Sequence, residues 1–536
     1  MKKLKLVCVA IAMACTTPTL AGGLLTNTNQ HVAFDRMMSR EASIGIDGVY
    51  YNPAGVVFMS EGHHLAINWQ LAFQSRTINN DYALFTNNVN NPITPRDFKG
   101  TAFAPVIPSF QYAYNKGKWS FQASFALTGG GGKCTFDDGL GSFEKIVAET
   151  AIAACGLAGV VDQTLGNTLG QPGMEMFTSD QAFGKTGKYS FNSYMHGRQY
   201  YYGLSVGAAY KFCDNFSAFL GVRGVYALTN YYGYVENINV GNMPLYKVLD
   251  PTKESSANIE LSCDQSGIGF TPIIGVDYKT GRWNFSAKYE FKTRIRLKNK
   301  SVNQTPSIGN LPANLANQMT GILTAKYQQA GLPLEQAKQQ AENTTNAVLN
   351  DPTVGATMMG LKTQFDQKLN KAIGEYEDGK KIAGDIPAYL ALGVGYSPVD
   401  AVRVNVGFHW FDDKNATSYN NRNKELKRGT LEYNAGVEVD VNKKITLSTG
   451  WQNTNYGLSD EYMDDKSFVV SSNSVAIGGV YHINKKMDLN VAYFHTFYQH
   501  KKTTETVQLT ADISRNYSSD YTRNNNVFAV GLDINF

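Results

Sequence analysis

Residues 283–297, WNFSAKYEFKTRIRL, alternate apolar and polar side chains over fifteen positions. Only a β-strand places alternate residues on opposite faces. Strands in soluble domains usually run about 5–6 residues, so an apolar face of this length suits a strand that crosses a membrane. A Lys or Arg turned toward lipid costs roughly 2–4 kcal/mol near the midplane. The stretch therefore predicts a transmembrane strand whose other face lines a lumen with Lys288, Glu290, Lys292, Arg294 and Arg296.

The composition supports a membrane barrel. Of the 536 residues only 18% are charged and 12% are aromatic, with 50 Gly and 31 Tyr, which suits a barrel with aromatic girdles. The net charge of +4 is spread along the chain, so no basic tract predicts a nucleic-acid partner. Beyond the N-terminus we find no apolar run of the roughly 18 residues that a spanning helix needs.

The N-terminus has the pattern of an export signal. Lys2, Lys3 and Lys5 precede an apolar run over residues 6–14, and small residues around Ala21 suit cleavage, so residues 1–21 are predicted to be a signal peptide. A lipid anchor at Cys15 is the alternative; we favour a residue inside the discarded signal.

Alternating segments predict fourteen strands, an even number that closes an antiparallel barrel over residues 62–536. Short polar turns alternate with long connections, as in outer-membrane barrels with short periplasmic turns and long extracellular loops. The long loops are residues 130–195 and 298–384. The strands are expected near 63–78, 102–115, 118–129, 196–212, 215–235, 259–279, 282–297, 385–398, 401–415, 428–441, 444–457, 469–483, 486–501 and 521–536.

Helical spacing appears in the two long loops. Residues 142–170 and 307–378 are rich in Ala, Leu, Gln and Lys, and Pro333 is placed to open a helix. We expect helical caps there. Their apolar side chains either pack internally or form an exposed groove for greasy molecules, and both interpretations are open.

The last strand ends on Phe536, which resembles the signal read by the barrel-assembly machinery. Outer-membrane lipid and lipopolysaccharide are further expected partners, because paired acids in the outer loops, such as Asp137 and Asp138, suit bridging divalent cations. We expect a monomer.

Four cysteines remain after cleavage, and export permits disulfides. Cys134 and Cys155 lie in one predicted loop and are the candidate pair. The sequence has no Cys/His metal spacing and no catalytic motif, so it predicts neither a metal or cofactor nor an enzyme.

Residues 22–61 precede the first strand and lack strand patterning. They are too few for a separate domain, yet their apolar residues need burial, and the barrel lumen is the available place. The sequence therefore predicts a lumenal hatch. Within it, Asn52, Pro53, Ala54 and Gly55 form a turn signature.

The order of these features resembles a known family. A hatch ending in NPAG, a strand beginning GHHLAINW, and then APVIPSFQYAY-NKGK-WSFQASFALTGGGG are similar to FadL/TodX-type outer-membrane transporters of fatty acids and hydrocarbons. The late hairpins IPAYLALGVGYSPVDAVRVNVGF and LEYNAGVEVDVNKKITLSTGW extend the resemblance over nearly the whole chain. It implies a fourteen-stranded barrel plugged by a hatch that holds Asn52, Pro53, Ala54 and Gly55.

The resemblance also implies passive transport of hydrophobic compounds, with long-chain fatty acids as the expected substrate. Ligand is caught by the outer loops, enters an apolar pocket, and leaves sideways through a kink in the third strand after the hatch rearranges. Here Gly129, Gly130 and Gly131 are the kink candidates. A flexible loop start is the alternative.

Basic residues near the family's pocket imply a site for a carboxylate. By parity Arg223, Lys288 and Arg294 are the lumenal candidates. The alternative is that lumenal charges neutralise one another, as Glu290 would.

Other barrels remain as alternatives. A general porin or an adhesin barrel would lack a hatch. Haem or another apolar ligand is an alternative cargo, although energised receptors have about 22 strands, too many for this chain.

Overall fold

A computed structural model describes residues 25–306, 308–509 and 513–536. The predicted signal peptide and the first residues of the predicted hatch lie outside these ranges.

Fourteen antiparallel strands form one closed barrel, which confirms the predicted fold class. Three of them run in two segments, and a two-residue strand, Met243–Pro244, lies in a connection. The barrel strands are β1 Gly62–Tyr82, β2 Arg96–Lys116, β3 Trp119–Phe136, β4 Tyr189–Cys213, β5 Phe216–Val240, β6 Ile259–Thr280, β7 Trp283–Glu290 with Arg296–Gln304, β8 Lys381–Ala383 with Tyr389–Val399, β9 Val402–Phe411, β10 Thr430–Asn442, β11 Ile445–Asn455, β12 Ser472–Asn484, β13 Met487–Tyr498 with Lys501–Gln508, and β14 Ser514–Asn535.

The first and last strands close the barrel. Their ladder runs from the pair His64 and Asn535 to the pair Tyr82 and Tyr517. Short turns lie at one end of the barrel and the long connections at the other, as the sequence predicts. We call these the short-turn end and the long-connection end.

Strand β6 shows the height of the outer apolar surface. Its outward residues from Tyr278 to Ile268 are exposed and apolar, while Asp277 and Ile273 on the alternate face are buried. The ten residue-to-residue steps between them, at about 3.3 Å each and tilted by about 40°, give about 25 Å, the height of the apolar band in outer-membrane barrels.

Several strands continue beyond the apolar band. Strand β4 begins at Tyr189 and β5 extends to Val240, in stretches where the sequence predicted the edge of a loop. Hydrogen bonding continues there, although outward residues become polar, so apolar alternation ends before the strand does.

A one-residue bulge interrupts β7. Ile273 of β6 pairs with Glu290 of β7, and Ser266 pairs with Lys298. The two pairs are seven residues apart along β6 but eight residues apart along β7. One additional residue in a strand exchanges the two faces for every residue beyond it.

This bulge corrects part of the sequence prediction. Before it, Lys288 and Glu290 are buried on the lumenal side, as predicted. Beyond it Ile295 is buried, and Arg294 and Arg296 are exposed on the outside. The prediction that Arg294 and Arg296 line the lumen is wrong because the strict alternation stops at the bulge.

Seven α-helices accompany the barrel in the part of the chain that the structure describes. Helices α3 and α5 to α7 lie in the long connections, as predicted, and α6 follows Pro333 directly. The helices are α1 Val32–Met37, α2 Gly48–Tyr51, α3 Gly141–Leu169, α4 Tyr246–Leu249, α5 Leu311–Gln329, α6 Leu334–Leu349 and α7 Pro352–Ile373. We call residues 137–188 and 305–380 the cap.

Helix α3 is long and apolar enough, by length and composition, to cross a membrane, although its sequence predicts only a helical cap. In the structure 56% of its most apolar window is buried, and residues such as Leu157, Val161 and Leu165 pack in the hydrophobic core of the cap.

The N-terminal segment lies inside the barrel. Helix α1 packs against strands β10 to β14 and β1, and all six of its residues are buried. Helix α2 and a 3-10 helix, Gly55–Phe58, continue the segment toward β1. We call residues 25–61 the hatch.

Candidate functional site

The NPAG tetrapeptide is anchored to three strands near the short-turn end. Asn52 Nδ2 donates to Asp277 Oδ2 of β6 at 2.6 Å. Gln122 of β3 donates to the Pro53 carbonyl at 2.7 Å, and Ser217 of β5 donates to the Ala54 carbonyl at 2.7 Å. The hatch therefore contacts the predicted kink strand through its own NPAG turn.

Gly55 completes this turn. Its backbone N–H donates to Asn52 Oδ1 at 3.2 Å, and a Cβ on Gly55 would lie 2.4 Å from Asn52 Nδ2. The Asn52 amide thus fills the space that a side chain at residue 55 would need.

Buried charges tie the hatch to the opposite wall. His409 Nε2 of β9 lies 2.7 Å from Glu41 Oε1, and its Nδ1 lies 2.8 Å from Glu432 of β10. Arg40 and Arg36 both pair with Glu438 of β10. Removing one partner of a buried pair typically costs about 3–5 kcal/mol, so these contacts hold the body of the hatch firmly.

Two of the predicted carboxylate ligands already have an acidic partner. Arg223 pairs with both oxygens of Glu290, at 2.5 and 3.0 Å, and Lys288 Nζ lies 2.9 Å from Glu290 Oε1. Lys288 also donates to the Tyr50 carbonyl of the hatch at 2.6 Å. The structure thus favours the alternative in which these lumenal charges neutralise one another, and Arg294 lies outside the lumen.

The barrel wall opens between β2 and β3. Their ladder runs from the short turn to the pair Phe110 and Phe125, and it resumes only at the pair Ala102 and Cys134. The intervening stretches have no ladder pairing with each other in the described structure. We call this opening the wall gap, formed by residues 103–109 and 126–133.

The sequence of both strands explains the gap. Pro105 and Pro108 of β2 have no N–H to donate. In β3, Thr128 and Gly131 have no partner residue in β4, so the strand bulges at each of them. Gly130, between the two bulges, has a φ of 68°. The candidates Gly129, Gly130 and Gly131 therefore lie in a doubly bulged strand rather than at a loop start.

The hatch occupies the free edge of β3 from inside. The Asn27 N–H donates to the Thr128 carbonyl at 2.9 Å, and Asn27 Nδ2 donates to the Leu127 carbonyl at 3.1 Å. Thr26 and Gly129 form an antiparallel bridge. The first residues of the hatch thus supply partners that β2 does not.

Apolar side chains of the hatch and of the wall pack together at the gap. Phe34 and Tyr51 of the hatch, stacked at 5.3 Å, pack in one cluster with Ile107 and Leu127 of the wall. Ala104, Tyr200 and Tyr202 pack against that cluster. The hatch therefore fills an apolar opening and would expose it by moving.

Two cavities lie toward the long-connection end of the barrel. One lies within the cap and is lined almost entirely by apolar residues such as Leu157, Val161 and Leu315. The second lies where the cap meets the lumen and is lined by residues such as Tyr201 and Leu297.

The second cavity also carries charged groups. Glu375 and Arg422 line it, and burial raises the pKa of Glu375 to about 7, although Arg422 opposes the shift. The passage from cap to lumen is therefore mixed in polarity, unlike the cap cavity.

Sequence reasoning missed Arg76. It faces the lumen directly opposite Arg523 in the β1–β14 ladder, and only 2% of its surface is exposed. Its guanidinium contacts Gln74 Oε1 at 3.4 Å and lies 5.7 Å from the Phe468 ring, and no carboxylate of the described residues is within ion-pair distance of it. The alternation of β1, with Phe73 outside, would have placed Arg76 inside.

The structure contains no bond between Cys134 and Cys155, since all four described cysteines are free. Cys134 lies within β3, which extends beyond the predicted loop boundary, and Cys155 lies in α3 with its thiol donating to the Phe183 carbonyl at 3.4 Å. The predicted disulfide is therefore corrected.

Comparison with known proteins identifies the fold. No family profile and no curated protein matches the sequence. Among solved structures, a Pseudomonas aeruginosa FadL homologue matches with a TM-score of 0.58 and 14% identity, over 96% of this chain and all of the other. A TodX deltaS2S3 mutant, a monoaromatic hydrocarbon channel, matches at 0.50 and 13% identity over 96% and 100% of the chains. The Pseudomonas putida toluene transporter TodX matches at 0.46 and 14% identity, over 96% and 100%.

The barrel, hatch and wall gap define a plugged β-barrel. Its fold is that of the FadL homologue, so the predicted resemblance to FadL/TodX-type barrels is confirmed at the level of the fold.

The contact between hatch and gap can be tested at Gly129. A Cβ there would lie 2.6 Å from the Leu25 carbonyl, so Gly129→Ala should displace the first hatch residues from β3. A single cysteine at Thr26, only 4% exposed, should then react with a polar maleimide at least tenfold faster. Gly132→Ala is the matched control, because its Cβ would meet only Ala104 Cβ at 3.8 Å. Equal labelling rates in both variants would contradict the contact.

Proposed function

We propose that this chain is a passive outer-membrane transporter of hydrophobic compounds, with long-chain fatty acids as substrates, and that it is not an enzyme. The observation that carries the proposal is the wall gap, which is lined by apolar residues and closed from inside by the hatch. A hole of this kind in a barrel wall leads into the membrane, where a hydrophobic molecule is stable.

The proposed route begins at the cap, which we place outside the cell because the long connections of such barrels are extracellular. The apolar cap cavity suits capture of a greasy molecule, and the cavity below it leads toward the lumen. From there the ligand reaches the cluster around Tyr51 and Leu127 and leaves sideways between β2 and β3.

Energetics favour a local movement of the hatch. Its first residues are held to β3 by a few hydrogen bonds, each worth about 0.5–1.5 kcal/mol net. The body of the hatch is held by buried ion pairs whose disruption costs about 3–5 kcal/mol each. Freeing residues 25–28 therefore requires far less energy than ejecting the whole hatch, and binding of an apolar ligand in its place can supply it.

The same features argue against the alternatives. A general porin needs an open lumen, whereas hatch residues fill this one, with Phe34 and Tyr51 buried. We further propose a monomer that lies among outer-membrane lipid and lipopolysaccharide and is assembled by the barrel-assembly machinery.

Transport can be tested at the NPAG turn. The double variant Asn52→Ala with Pro53→Ala removes the hydrogen bond to Asp277, and uptake of radiolabelled oleate by expressing cells should fall at least tenfold. Heat-modifiable gel migration checks that the barrel is folded. Asn442→Ala, in an exposed short turn, should leave uptake unchanged. Wild-type uptake by the double variant would remove the hatch from transport.

The head group of the substrate can be tested at Arg76. A buried guanidinium with no carboxylate partner in the described chain is suited to a ligand carboxylate. Arg76→Met should reduce oleate uptake at least tenfold, while uptake of a neutral hydrocarbon such as toluene stays within twofold.

The matched control is Arg515→Met, which removes an exposed cation from β14. It should change neither uptake. An equal loss of oleate and toluene uptake in Arg76→Met would show that Arg76 supports the barrel rather than a carboxylate.

A further inference from the structure

The bulge in β7 places a row of cations on the outside of the barrel. Beyond it Arg294, Lys298 and Lys300 point outward and are exposed. Lys381 of β8 is paired with Lys298 in the ladder and is exposed as well. A continuous alternation would have buried these charges in the lumen.

Strands β3 and β4, which β5 and β6 separate from β7, carry two more outward cations. Arg198 of β4 is exposed, and it is paired with the exposed Lys133 of β3. Arg198 and Lys300 line a single surface pocket of about 830 Å³. We call these six residues the outer basic patch: Lys133, Arg198, Arg294, Lys298, Lys300 and Lys381.

The patch lies at the upper border of the apolar band. Lys298 is paired with Ser266 and Lys300 with Asp264, directly above the outward Ile268 and Phe270, which are 63% and 66% exposed. Tyr200, Tyr202, Tyr226 and Leu228 form the apolar side of the same pocket. Cations above a shelf of aromatic rings match a lipid whose charged groups sit just above its acyl chains.

The cations of the patch are not neutralised by the protein. None of the six has an ion pair with a carboxylate in the part of the chain that the structure describes. Asp264 lies among them and accepts a hydrogen bond from Asn230 at 2.8 Å. Arg296, by contrast, pairs with Asp385 at 2.9 Å. The patch therefore presents a net positive surface to whatever lies against the wall.

We propose that the outer basic patch binds the phosphate groups of lipopolysaccharide, with the lipid A acyl chains lying on the aromatic shelf below. The proposal rests on the outer-membrane placement proposed above, since that placement puts the long-connection end in the outer leaflet. Arg and Lys are the side chains that bind phosphate through charge-assisted hydrogen bonds.

The test uses the purified full barrel in detergent and native mass spectrometry, with bis-phosphorylated, hexa-acylated lipid A as the probe. The variant Arg198→Gln with Lys298→Gln and Lys300→Gln should bind lipid A at least tenfold more weakly than the wild type. The matched control Lys443→Gln with Lys444→Gln and Lys485→Gln removes three exposed cations from the short-turn end and should bind within twofold of the wild type.

Dephosphorylated lipid A separates the phosphates from the acyl chains and should bind the wild type at least tenfold more weakly than the intact form. Equal binding of lipid A by the patch variant and the wild type would overturn the proposal. Equal binding of the dephosphorylated form, or of phosphatidylglycerol, would also overturn it, because the site would then not select these phosphates.

The outcome is independent of transport. A barrel that takes up oleate while the patch variant still binds lipid A refutes this proposal alone. A barrel whose patch binds lipid A while no hydrophobic compound is taken up refutes the proposed function alone.

Discussion

A backbone in hydrocarbon must satisfy its own hydrogen bonds, and this constraint shapes the whole molecule. It requires a closed barrel, which β1 and β14 complete along their full length. The wall between β2 and β3 departs from it, because two prolines and two bulges leave a stretch of ladder unpaired. The backbone of the hatch supplies some of the missing hydrogen bonds to β3, through Asn27 and the Thr26–Gly129 bridge. A plug that completes the wall can also reopen it.

The lumen divides into a rigid part and a movable part. Ion pairs and the NPAG turn fix the hatch from Arg36 to Gly55 against β3, β5, β6, β9 and β10. The first hatch residues depend on neutral hydrogen bonds and apolar contacts. Because none of the described ion pairs involves residues 25–30, a hydrophobic ligand can displace them without leaving a buried charge uncompensated. This division makes the gap, rather than the whole lumen, the place where opening costs least.

Much of the fold follows from the sequence because lipid outside and polar groups inside impose a period of two. This period predicts all fourteen strands, and the alternation of short and long connections predicts which connections lie at each end of the barrel. It failed at β7, where a single additional residue reversed the faces and moved Arg294 and Arg296 from lumen to exterior. A bulge of one residue does not change the composition of a strand, so the sequence does not predict it.

Only part of the candidate site could be predicted from the sequence. The NPAG turn and the glycine run of β3 are local signals, whereas the gap also depends on Pro105 and Pro108 of the neighbouring strand, whose alignment with the glycines is set by the ladder. Arg223 and Lys288 were placed correctly in the lumen, but their sharing of Glu290 is a contact between strands that parity cannot show. Arg76 satisfied the parity rule and was overlooked.

The most direct measurement is a reversible lock on the hatch. Asn27 and Thr128 lie beside the antiparallel Thr26–Gly129 bridge, and the Asn27 N–H donates to the Thr128 carbonyl at 2.9 Å. We therefore expect cysteines at both positions, in a chain whose other cysteines are replaced by serine, to form a disulfide on oxidation. If the first hatch residues must leave β3, oxidation should abolish oleate uptake and a reductant should restore it, while either single cysteine is insensitive to both. Uptake at the wild-type rate by the oxidised, fully cross-linked barrel would contradict a route through the gap.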